Sequence, residues 1–123
     1  SLGVANGVEV GTKTLTDGTV LAFDKGSNNN APKYYDSGTA VRMYPNNSVT
    51  VTASKKIASI KLTCSANNAE GKISASKGTI VIEGMTVNLN GIDDTTTTIT
   101  NSHTGTGAAS QLRIASIEIT YAK

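Results

Sequence analysis

Ser48-Val49-Thr50-Val51-Thr52-Ala53 alternates without a break. Successive side chains of an extended chain point to opposite sides. Val49, Val51 and Ala53 therefore share one face, and Ser48, Thr50 and Thr52 the other. After Ser54-Lys55-Lys56, which reads as a turn, Ile57–Cys64 repeats the pattern. Ile60, Leu62 and Cys64 lie on one side, against Lys61 and Thr63. Two half-apolar strands in succession predict sheets with one face to bury. Such sheets close on one another as a sandwich.

Working outward, turn residues recur every eight to twelve positions, which is the spacing of an all-β sandwich or barrel. Asp17-Gly18 sits between Lys13–Thr16 and Thr19–Asp24 and predicts a two-residue type I′ hairpin, because Asp-Gly tolerates positive φ. A polar loop runs from Lys25 to Pro32 through Asn28-Asn29-Asn30. A strand follows at Thr39–Tyr44, then a turn at Pro45-Asn46-Asn47. Asn67 to Gly71 reads as a loop. Lys72–Ser76, Thr79–Glu83, Met85–Asn90 and Thr95–Asn101 read as short strands, and Ser102–Ala109 as a loop. In the last strand, Gln111–Tyr121, Leu112 and Ile114 are in one phase, Ile117, Ile119 and Tyr121 in the other. That slip at Ala115-Ser116 predicts a β-bulge. No segment repeats apolar residues at helical spacing. The expected fold is an all-β, antiparallel, jelly-roll-like β-sandwich of about nine to ten short strands. It occupies residues 1–123 as a single domain, expected to be a piece of a larger extracellular protein.

The composition excludes several functions. Thr (18), Gly (12), Ser (12) and Asn (11) dominate, and charged residues are only 16%. No apolar run approaches the roughly 20 residues that span a bilayer, so no membrane insertion is expected. A net charge of +2 gives no footprint for nucleic acid. One His and one Cys cannot build a His/Cys zinc site. Cys64 reads as a core thiol, with no His placed to activate it. His103 falls in a Gly/Ser/Thr loop and reads as an exposed loop residue. The acids sit mostly in turns, where they cap backbone amides, and none clusters with a base. No catalytic residue is assigned, and no enzyme is expected. Oxygen ligands at Asp24, Asp93 and Asp94 leave a structural Ca²⁺ open; no other cofactor is expected.

The chemistry-bearing stretch is Lys33-Tyr34-Tyr35-Asp36-Ser37-Gly38-Thr39-Ala40-Val41-Arg42-Met43-Tyr44. The chain has four Tyr, one Phe and no Trp, and three of the tyrosines are here. Phe23 and Tyr121, on good strand patterns, are expected in the core. Val41 and Met43 are the inward pair, leaving Arg42 and Tyr44 outside. Aromatic rings stack on the apolar faces of sugars, and Arg, Asp or Asn side chains hold the hydroxyls. Tyr34, Tyr35 and Tyr44 are the stacking candidates. Arg42, Asp36, Lys33, Asn28, Asn29 and Asn30 are the polar ones. Without Trp, a flat platform for crystalline polysaccharide is not expected; a small pocket for a short glycan is.

The segments Phe23-Asp24-Lys25-Gly26-Ser27, Ala31–Asp36, Ala40–Asn47, Lys56–Ile60 and Gln111–Tyr121 together resemble β-sandwich accessory modules of secreted and cell-surface proteins of gut and rumen bacteria. The resemblance implies an extracellular or cell-surface location, neighbouring domains in the same polypeptide, and a carbohydrate-binding-module-like role. The expected ligand is a polysaccharide or oligosaccharide. The competing expectation is a structural or adhesive spacer without a glycan ligand, in which the tyrosines only pack.

Overall fold

The two alternating stretches form one strand. In the computed structural model, which describes residues 5–65 and 69–123, strand β5 runs unbroken over Ser48–Cys64. No turn forms at Ser54-Lys55-Lys56. These residues are exposed, and the pairing register shifts between Thr52 and Ile57. Lys56 O accepts the Ala122 N–H at 2.8 Å, so the chain stays paired and bends instead of reversing.

The bend divides the neighbours of β5 into two sets. Its first half pairs with β2 (Val20–Asp24) on one side and β9 (Asp94–Asn101) on the other. Its second half pairs with β10 (Leu112–Tyr121) and β8 (Thr86–Asn90). Outside these lie β1 (Thr12–Thr14) on β2 and β6 (Ile73–Ala75) on β9. On the other layer lie β4 (Ala40–Met43) on β10, β3 (Lys33–Tyr35) on β4, and β7 (Thr79–Glu83) on β8. All pairs are antiparallel. One layer reads β1-β2-β5-β9-β6 and the other β3-β4-β10-β5-β8-β7, so the sandwich is one curled sheet with β5 in both layers. Strands that switch layers through a bend are a known way to turn such a corner.

The core lies between the layers. Leu21, Val49 and Ile99 of one layer join Met43, Leu62 and Leu112 of the other in a single buried cluster. The inward phase read for Val41, Met43, Ile60, Leu62 and Cys64 holds, and each is buried. The bulge in β10 also forms: Ile114 pairs with Cys64 and Ser116 with Thr63, leaving Ala115 extra.

Two further local expectations change. The β1–β2 connection is a three-residue loop, not a two-residue type I′ turn. Gly18 N–H donates to Leu15 O at 3.0 Å, and Leu15 N–H to Thr19 O at 2.7 Å, with Gly18 at φ 89°. This is the type I turn plus left-handed residue that commonly closes three-residue hairpins. Tyr121 is not a core residue. It is half-buried, and its hydroxyl donates to Asp17 Oδ2 at 2.6 Å and contacts Thr19 Oγ1. Past the bulge, Ile117, Ile119 and Tyr121 pack against the core from its margin and are only partly buried. The loop read from Asn67 begins outside the described residues; Lys72 N–H closes its described part onto Ala69 O at 3.0 Å.

Candidate functional site

Strand pairing sorts the Lys33–Tyr44 residues. Lys33 lies opposite Arg42, and Tyr35 opposite Ala40, on one face of the β3–β4 pair. Tyr34 lies opposite Val41, on the other face. Tyr35 and Arg42 meet on the outer face, with the guanidinium carbon 4.0 Å from the ring centroid. The Tyr35 and Tyr44 hydroxyls are 3.5 Å apart. Burial first, and then the Tyr35 hydroxyl, push the Tyr44 phenol up to about 12, against the opposing pull of Arg42 and Arg113. Tyr34 instead packs on the core. It lines a largely apolar cavity of about 440 Å³ with Leu15, Phe23 and Ile117. The three tyrosines therefore do not form one platform. Asp36 opens the turn after β3 and is exposed; its N–H donates to Asn6 Oδ1 at 2.9 Å.

Beside Tyr44 a polar cleft of about 590 Å³ opens among three segments. Asn28, Asn30, Tyr44, Asn46, His103 and Gln111 line it, with residues 104–108. Asn29, Lys33, Tyr35, Asp36 and Arg42 are not part of its wall. Gln111 joins the cleft to the outer face, because its Oε1 accepts the Arg113 Nε–H at 3.1 Å.

Two buried asparagines hold the segments together. Asn47 has no exposed surface. Its Nδ2 donates to Lys25 O at 3.0 Å and Asn30 O at 2.9 Å, while its Oδ1 accepts the Tyr44 N–H at 2.9 Å. Asn101 has none either. Its Nδ2 donates to Met43 O and Ser110 O, both at 2.9 Å, and its Oδ1 accepts the His103 N–H at 3.0 Å. The Tyr44–Asn47 turn is the type II turn suited to Pro at its second position and Asn at its third. Asn46 takes φ 71°, and Asn47 N–H donates to Tyr44 O at 2.9 Å. Gly26 packs onto that turn: at φ 58°, a Cβ there would sit 2.3 Å from Asn46 O.

Within the loop Asn28 donates from Nδ2 to Pro45 O at 2.9 Å and accepts the Asn30 N–H at 2.8 Å. His103 is half-buried, and its Nδ1 accepts the Gly105 N–H at 2.8 Å. It is a wall of the cleft and not merely an exposed loop residue. Sequence reasoning missed Gln111, Arg113, Asn47 and Asn101 as site residues. Arg113 carried a readable signal, since it alternates outward between Leu112 and Ile114. Asn47 carried only a turn signal, and Asn101 read only as the end of the Thr95–Asn101 strand.

The remaining chemical candidates stand apart from the cleft. Cys64 is buried, and burial pushes its thiol up. Asp24 Oδ1 accepts the Gly26 N–H at 2.7 Å; Asp93 lies 3.5 Å from Lys56 Nζ; Asp94 accepts the Thr96 N–H at 3.3 Å. Among the described residues no three His, Cys, Asp or Glu side chains converge as a metal site.

No protein-family model, curated protein or solved structure matches this chain. The functional reading therefore rests on the site itself.

Proposed function

We propose that the chain is a non-catalytic carbohydrate-binding module, carried by an extracellular or cell-surface protein of the kind its sequence resembles. Its ligand is a short stretch of polysaccharide, or an oligosaccharide. The observation that carries this reading is the position of Tyr44, shared between the polar cleft and the Tyr35–Arg42 stack. A sugar needs an apolar surface for its ring face and a convergent set of donors and acceptors for its hydroxyls. Tyr44 offers the first; Asn30, Asn46, Gln111 and residues 104–108 offer the second. The cavity beside Tyr34 is less suited to a glycan, because its walls are mostly aliphatic and aromatic.

The test is affinity electrophoresis against starch, β-glucan, xylan, mannan and pectin. Retardation by one class is expected, lost in Tyr44→Ala and largely kept in Tyr44→Phe. No retardation by any polymer would overturn the reading. The second reading is a structural or adhesive spacer. The Arg42–Tyr35 stack favours it, because Arg42 covers one face of the ring that a sugar would use. Under that reading Arg42→Ala lowers the melting temperature and changes no retention.

A further inference from the structure

The cations of the outer face are aligned, and among the described residues no ion pair joins Lys33, Arg42 or Arg113 to an acid. Lys33 on β3, Arg42 on β4 and Arg113 on β10 stand directly opposite one another in a row across three strands. Lys72, only 7% exposed, adds a cation beside Arg113, and its Nζ donates to Gln111 O at 3.4 Å. Like charges directly opposite destabilise a sheet. The ion pairs among the described residues are Lys56–Asp93, Lys61–Glu118 and Lys77–Asp94, and none touches this row. Glu9 lies opposite Lys33 at its far end, without an ion pair. The net charge of +2 conceals this arrangement, because nine acids offset eleven Lys and Arg over the whole chain.

The two arginines are also set up to receive an anion. Arg42 lies over the Tyr35 ring, and that contact holds its guanidinium in place. Arg113 spends its Nε–H on Gln111, so its terminal nitrogens keep their donors. A planar fork of donors matches a carboxylate or sulfate in two-point contact. Neither arginine lines the polar cleft, but each is linked to its wall, Arg113 through Gln111 and Arg42 through the Tyr35–Tyr44 contact.

We propose that the glycan held in the cleft is acidic, and that Arg42 and Arg113 grip a carboxylate or sulfate on a sugar at the cleft's edge. The inference rests on the glycan-binding reading. A bound anionic group would relieve the repulsion along the row, which a neutral sugar cannot do.

Binding of the protein to polygalacturonate and to chondroitin sulfate tests it. The arms are carboxyl-reduced polygalacturonate, the neutral members of the panel above (starch, β-glucan and mannan), and duplex DNA. Retention on an acidic glycan is expected, at least tenfold weaker on its carboxyl-reduced form. It should weaken as salt rises, because exposed charges are screened over about 10 Å at 0.1 M salt. Arg113→Gln and Arg42→Gln should each weaken it at least tenfold, with the circular dichroism spectrum unchanged. Should either variant fail to fold, Arg113→Lys keeps the charge but not the fork and should still weaken binding. Retention on a neutral polymer alone would overturn the acidic ligand and leave the glycan-binding reading standing. No retention on any polymer would overturn both. Equal retention on duplex DNA would reduce the row to a general polyanion surface and overturn the proposal.

Discussion

Asn47 and Asn101 are the residues on which the cleft depends. Each is fully buried; each spends both amide protons on backbone carbonyls farther away in the chain and its carbonyl oxygen on a backbone N–H within three residues. A buried polar group left without a partner costs about 1–3 kcal/mol. Asn47→Ala strands the carbonyls of Lys25 and Asn30 and the N–H of Tyr44. Some of these will reach water, so a loss of about 2–4 kcal/mol is expected, measured by urea unfolding. Glycan retention should fall as well, because the loop bearing Asn28 and Asn30 loses its anchor. An unchanged unfolding midpoint would refute this account. In the sequence Asn47 looks like an ordinary turn former and Asn101 like the last residue of a strand. Their importance comes from partners on other loops, and nothing in the neighbouring residues announces them.

At the scale of elements, the end of β10 is tied to the β1–β2 hairpin by one side chain. The Tyr121 hydroxyl donates to Asp17 Oδ2, and Asp17 Oδ1 accepts the Thr19 N–H at 2.9 Å. These bonds, that from Tyr121 foremost, hold the Asp17 carboxyl below its ordinary 3.8. A lowered carboxyl in the folded state stabilises the fold above the unfolded value and loses that effect as pH falls through the folded one. Tyr121→Phe should therefore flatten the fall of melting temperature below about pH 4, compared with the unsubstituted chain in the same pH series. An identical acid slope in both would show that the bond contributes nothing. The β10 bulge was legible because it is a phase slip within one strand. The fate of Tyr34 was half-legible: neighbours in an extended strand must point apart. Lys33–Tyr35 has no alternating pattern to mark it as a strand, however, and only its pairing with β4 sends Tyr34 to the core and Tyr35 outside.

At the scale of the molecule, β5 makes the two layers one folding unit. Leu62 is buried where β5 meets β10 and β8, while the same strand carries Val49 and Val51 between β2 and β9. Leu62→Ala should cost about 2–5 kcal/mol, the usual range for a buried leucine. Loss of one layer should bring down the other, so tyrosine fluorescence and far-ultraviolet circular dichroism should report a single coincident transition. Two separated transitions would contradict the shared strand. Which faces are apolar, where β10 slips phase and most of the turns, though not the one expected at Ser54-Lys55-Lys56, were readable from the residues alone. Each is a property of a few consecutive side chains and the backbone angles they permit. The continuity of β5, the closing of three distant loops around a cleft, and the alignment of Arg42 with Arg113 belong to the tertiary structure. They depend on register between segments far apart in the chain, and register is set by how the whole core packs.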